Sequence, residues 1–257
     1  MSGAGTEVVR VADPEAVSRA AADEWVRCAR AAVAARGRFT VALSGGSTPR
    51  RMFQILAEPP FREQVDWARL DVFWGDERAV PPDDPDSNYG MARGALLSKV
   101  PVPSARVHRM AAERDDRDAA AQDYAAEIAR TLGVPPEGEP PAFDLVLLGM
   151  GPDGHTASLF PQTAALRETR RWVVRNYVPK FSADRLTLTA PILNRGATIL
   201  FLVAGADKAP VLQEVLEGPP DPERLPSQLI RPVAGRLVWL VDQAAAARLT
   251  ERGRAPS

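Results

Sequence analysis

The stretch Phe143-Asp144-Leu145-Val146-Leu147-Leu148-Gly149-Met150-Gly151-Pro152-Asp153-Gly154-His155-Thr156 opens with an almost wholly apolar run and ends in glycines. A run this short and this apolar reads as a strand, Phe143 to Leu148, buried on both faces as strands of parallel sheets are. Outward from it, strand-like and helix-like segments alternate. Strands are predicted at Glu7–Val11, Phe39–Leu43, Leu70–Trp74, Trp172–Val174, Leu186–Thr189, Thr198–Val203 and Leu237–Val241. Helices are predicted from Asp13-Pro14 to Ala35, and over Pro49–Ala57, Ser87–Leu97, Asp116–Leu132, Lys208–Leu216 and Gln243–Leu249. Asp13 followed by proline is a helix start, and Gly133 a helix stop. The expected fold is α/β: a doubly wound, mostly parallel sheet with helices on both faces, whose ligands bind beyond the carboxyl ends of the strands. The linker Val134–Pro141 separates no closed set of strands, so residues 1–257 are read as a single domain.

Composition narrows the function. With 257 residues, 45% hydrophobic and 25% charged, the chain can bury a full core without staples. Its longest apolar stretch, Ile199 to Ala206, falls far short of the roughly 18 residues of a membrane span. The N-terminus has no basic start and no apolar core, so a cytoplasmic location is expected. A net charge of -1 argues against a nucleic-acid binder. One cysteine, Cys28, and two histidines offer poor metal ligation, and neither a metal nor an organic cofactor is expected. Oligomeric state is left open, with a monomer compatible.

Three loops follow three strands. After Phe39–Leu43 comes Ser44-Gly45-Gly46-Ser47-Thr48-Pro49, where glycines let the backbone approach a ligand and the next helix start offers free N–H groups to an anion. The form is a phosphate cradle without the lysine of a P-loop. After Leu70–Trp74 comes Gly75-Asp76-Glu77-Arg78. Its carboxylates in isolation read as solvated turn charges, whereas the Arg78 guanidinium suits a phosphate or a developing oxyanion.

The third loop, Gly149 to Gly154, matches G-x-G-x-x-G. A dinucleotide site needs an acidic residue about 20 positions later, and Arg170-Arg171-Trp172-Val173-Val174-Arg175-Asn176 supplies none. What remains is His155, two residues after Asp153 among glycines at a strand end, and imidazole is well suited to general acid-base work near neutral pH. His108, between Val107 and Arg109 with no carboxylate beside it in sequence, reads as structural.

From Leu166 to Arg195 seven cations face two anions, which suits a small anionic ligand nearby. Arg185 opens one strand there. Lys208, one of only three lysines, sits in a predicted first helical turn against the helix dipole, so it needs another reason to be present and is a candidate phosphate ligand.

These loops, with Trp74-Gly75-Asp76-Glu77-Arg78, Ser87-Asn88-Tyr89, Gly149 through Pro161 and Gly205-Ala206-Asp207-Lys208-Ala209, resemble the glucosamine-6-phosphate isomerase/6-phosphogluconolactonase family, over about Val8 to Leu249. The resemblance, on its lactonase side, implies a Rossmann-like sheet shared with glucosamine-6-phosphate deaminase and cofactor-free hydrolysis of 6-phosphogluconolactone in the oxidative pentose phosphate pathway. Its implied site is His155, Asp153 and Arg78 for catalysis, with Ser44, Gly45, Gly46, Ser47, Thr48, Arg78, Gly151, Gly154, Arg185 and Lys208 around a phosphorylated sugar lactone. A deaminase-like isomerase is the alternative. Its pattern has Asp-Glu-Tyr where this chain has Asp76-Glu77-Arg78, and Ile-Ala-Phe-Asn-Glu where this chain has Thr156-Ala157-Ser158-Leu159-Phe160, so its ring-opening carboxylate is missing. A non-catalytic sugar-phosphate sensor would need a DNA-binding segment ahead of the first strand, for which residues 1–6 leave no room.

Overall fold

A computed structural model describes residues 5–250. Its strands are β1 (Thr6–Val11), β2 (Phe39–Leu43), β3 (Leu70–Trp74), β4 (Asp76–Arg78), β5 (Leu145–Gly149), β6 (Val173–Val178), β7 (Ala183–Leu188), β8 (Thr198–Val203) and β9 (Arg236–Asp242). The α-helices are α1 (Pro14–Arg36), α2 (Ser47–Leu56), α3 (Asn88–Ala92), α4 (Arg117–Leu132), α5 (Ala190–Leu193) and α6 (Ala209–Glu217).

Six strands form a parallel sheet in the order β1-β9-β8-β5-β2-β3. β2, β3 and β8 are buried at every residue, and β5 at all but its last, as a sheet covered on both faces requires. The expected caps are present. The Asp13 carboxylate accepts from the Ala16 N–H at 2.8 Å, and α1 stops at Gly37 with φ +71°, a left-handed value that glycine adopts without strain.

From β2 the chain moves outward to β3, and from β5 it moves the other way to β8 and β9. The switch therefore falls between β2 and β5, where an open sheet leaves a crevice beyond its carboxyl ends.

Not all predicted strands join this sheet. β4, β7 and β6 form a separate three-stranded antiparallel sheet, so the segments around Val173 and Leu186 are not in the main layer. Val173–Val178 alternates buried and exposed, with Arg175 and Tyr177 outward, which marks an antiparallel strand with one wet face. The small sheet branches off at Gly75, whose N–H donates to Leu43 O (2.8 Å) and whose carbonyl accepts from Leu188 N (2.7 Å). Two predicted helices are shorter than expected. α3 ends at Ala92 and passes into a π turn over Arg93–Leu97, and Gln243–Leu249 makes only a 3₁₀ turn at Ala245–Arg248. No described helix is long and apolar enough to cross a membrane.

Candidate active site

A cleft of about 260 Å³ opens at the switch point, lined by the loops that leave four adjacent strands of the main sheet. Ser44 to Pro49 come from β2, Asp76 and Arg78 from β3 through β4, Gly149 to Gly151 and His155 from β5, and Ala204 and Lys208 from β8.

The β2 loop ends in Gly46, φ +107°, which caps α2 without any side-chain hydrogen bond. The first N–H groups of α2 therefore lack intrahelical partners, and the helix dipole adds positive potential there. Gly45 has a steric reason as well: a Cβ on it would lie 1.9 Å from Asn88 Oδ1.

Asn88 is held from below. Glu77, buried to 3% exposure, accepts from the backbone N–H groups of Arg78, Asn88 and Tyr89 and from Ser87 Oγ. Burial pushes the Glu77 carboxyl upward, against those backbone donors. Asn88 Nδ2 donates to Asp76 O at 2.9 Å, and Ser158 Oγ donates to Asp76 Oδ2 at 2.6 Å. Asp76 and Glu77 are thus buried and hydrogen-bonded, not solvated turn charges. Apart from the Arg78 N–H, the donors that satisfy them come from ten or more residues away, which neighbouring letters do not reveal.

In the β5 loop, His155 Nδ1 is hydrogen-bonded to Asp153 Oδ1, and its ring stacks on Phe160 with centroids 4.0 Å apart. Nε2 has no partner among the described residues, and His155 faces the cleft. Lys180 Nζ donates to the other Asp153 oxygen at 2.9 Å. Burial would raise the Asp153 carboxyl, but the hydrogen bonds from His155 and Lys180 outweigh it and hold the group well below the ordinary carboxylate range. Gly151 makes room for the imidazole, since a Cβ there would lie 2.1 Å from its ring atoms.

Gly154 does not line the cleft, contrary to expectation. With φ +76° it turns the loop, and a Cβ there would meet Leu225 Cδ2 at 2.8 Å. Its carbonyl accepts from Ser227 N and Oγ, so it anchors the loop to the 3₁₀ turn at Pro226–Leu229. Arg185 is likewise absent from the cleft lining. It lies within β7, opposite Arg78 of β4, with Nε and Nη1 buried and without hydrogen-bond partners. Burial, then the neighbouring Arg78 charge, lower its pKa. Lys208 does line the cleft, but from a 3₁₀ turn ahead of α6, and pairs with Asp207 at 2.9 Å. Asp207 offsets the unfavourable placement that its position on the helix suggested.

The other histidine is structural, with partners its sequence neighbours hide. His108 Nδ1 meets Glu127 at 2.6 Å and Nε2 meets Asp71 at 3.4 Å, while the ring stacks on Phe73.

A family model described as glucosamine-6-phosphate isomerases/6-phosphogluconolactonase matches residues 12–239. The chain belongs to this family. A protein of Synechocystis sp. named 6-phosphogluconolactonase is 45% identical over 218 residues, covering 85% of this chain and 88% of its own. The structure of 6-phosphogluconolactonase from Trypanosoma cruzi superposes with a TM-score of 0.84 at 30% identity, covering 97% of this chain and 98% of that one. A monomeric glucosamine-6-phosphate deaminase, at 22% identity and a TM-score of 0.77 over 94% of this chain and 99% of that one, shares the fold.

Proposed function

We propose that the cleft hydrolyses 6-phosphogluconolactone to 6-phosphogluconate in the oxidative pentose phosphate pathway, by direct attack of water. The observation that carries the mechanism is His155: its Nδ1 is committed to Asp153 and its Nε2 has no partner among the described residues, in a cleft that also holds a glycine loop at a helix start and Lys208. Names of the family's similar members support the substrate class.

Water bound at His155 Nε2 attacks the lactone carbonyl carbon and gives its proton to the imidazole. Asp153 holds the ring in orientation and stabilises the charge it gains. Collapse of the tetrahedral intermediate breaks the bond from carbonyl carbon to ring oxygen, and His155 returns the proton to that oxygen as it becomes a hydroxyl. The backbone of Ser44, Gly45, Gly46, Ser47 and Thr48, with Lys208 and Arg185, holds the 6-phosphate. Arg185 lies outside the cleft lining, opposite Arg78, and its part in this role rests on two buried, unpartnered nitrogens, Nε and Nη1, which an anion reaching it would satisfy. Arg78 serves the developing oxyanion or the phosphate.

The test is a lactonase assay with the spontaneous rate subtracted, because this ester hydrolyses in water unaided. Enzymatic turnover is expected in the wild type, and a wild-type rate no greater than the spontaneous one would refute the proposal.

A further inference from the structure

The tip of the β6–β7 hairpin carries a contact that the hydrolytic steps do not use. Pro179 to Phe181 make a 3₁₀ turn, and Ser182 closes it at φ +48°. Phe181 at this tip is 47% exposed, so core packing does not explain it.

Its ring meets three groups of the site. The Arg185 guanidinium lies over it, 5.6 Å from the centroid, and Lys180 Nζ lies 5.5 Å from the same centroid. Phe160, which stacks on His155, meets it edge-on at 5.6 Å. Lys180 has a carboxylate of its own in Asp153. Arg185 has no ion pair among the described residues, and its ladder partner is a second cation, Arg78. The Asp76, Glu77 and Asp86 carboxylates favour the Arg185 charge from beyond ion-pair distance, and no hydrogen bond at Nε or Nη1 fixes its direction. An aromatic face attracts a guanidinium through the ring quadrupole without occupying its N–H groups.

We propose that Phe181 is a positioning residue: its ring holds the Arg185 guanidinium in place without taking up its N–H groups, so that they stay unpaired for the anionic end of the substrate. This rests on the reading of Arg185 as a phosphate ligand. A carboxylate in the same place would fix the arginine equally well but would neutralise it and compete with phosphate.

The experiment compares Phe181→Leu, which keeps apolar bulk and loses the ring, with Phe181→Tyr, which keeps the ring, each alone and with Arg185→Ala. Phe181→Leu is expected to raise KM for 6-phosphogluconolactone roughly 3- to 30-fold, with kcat within about twofold and thermal stability unchanged. Phe181→Tyr should restore KM, and in the Arg185→Ala background Phe181→Leu should add nothing further. Unchanged KM in Phe181→Leu beside a raised KM in Arg185→Ala would overturn the proposal and leave the phosphate reading standing. A fall in kcat with unchanged KM would overturn it too, by moving Phe181 to the His155 side. Unchanged KM in Arg185→Ala itself would remove both the proposal and the reading beneath it.

Discussion

The two histidines of this chain both touch carboxylates, and they differ in what is left over. His108 has both ring nitrogens on acidic side chains, at 2.6 Å and 3.4 Å, with its side chain 7% exposed. His155 spends one nitrogen on Asp153, keeps the other free and is 23% exposed, at the carboxyl end of a central strand. A histidine-carboxylate pair is therefore not by itself a catalytic device. An uncommitted nitrogen facing a cleft leaves it able to move a proton, as proposed for His155, and committing both makes it a clamp between β3 and α4.

That contrast breaks most sharply under paired substitution. His155→Ala should lower kcat about a hundredfold to ten-thousandfold, the usual worth of a general base, while Tm and the Kd for 6-phosphogluconate stay close to wild type. A wild-type-like kcat in purified His155→Ala would refute it. The phosphate end of the same cleft gives the next largest effect. Lys208→Ala should weaken phosphorylated lactone by about 1.5 to 3 kcal/mol, and barely change hydrolysis of unphosphorylated gluconolactone if the wild type accepts it. Equal losses on both substrates would move Lys208 to the chemical step.

His108→Ala should do the opposite of His155→Ala. Leaving Asp71 and Glu127 short of a partner in a stacked, buried site should cost roughly 1 to 3 kcal/mol of stability, seen as a Tm lower by several degrees, with kcat retained. A variant as stable as wild type would show that the clamp holds nothing.

The smallest effect concerns acid. Asp153 has a folded-state pKa below its unfolded value, because hydrogen bonds from His155 and Lys180 outweigh burial. Between the two values the unfolded chain binds the proton more readily. The stabilisation is then complete above about pH 4 to 5 and drains away as pH falls through the lower, folded value, on the order of 1 kcal/mol. Asp153→Asn should therefore flatten the low-pH side of a plot of urea midpoint against pH, and an unchanged slope would count against the pairing.

Some of this was legible in the letters. Phe143–Leu148 announced a central strand by apolarity broken only at Asp144, Asp13-Pro14 and Gly133 announced helix ends, and Gly-rich loops after strands pointed to the end of the sheet where the cleft opens. Each is a local signal, set by backbone preferences and by burial acting over a few neighbouring residues. The carboxylates on His108 lie 19 and 37 residues away, and no local pattern points to them. Glycine spacing likewise could not separate Gly151, which clears the imidazole, from Gly154, which faces Leu225.

What the sequence determined by itself was the succession of strands and helices and the loops that could carry chemistry, because periodicity and capping act along the chain. The tertiary structure alone decided which of those loops meet. Packing set β5 beside β2 so that two glycine loops share one cleft, peeled β4, β7 and β6 into a second sheet, and laid Arg185 against Phe181 instead of a carboxylate. Those placements depend on contacts between distant segments, which form only where burying the core repays the entropy of closing the chain between them.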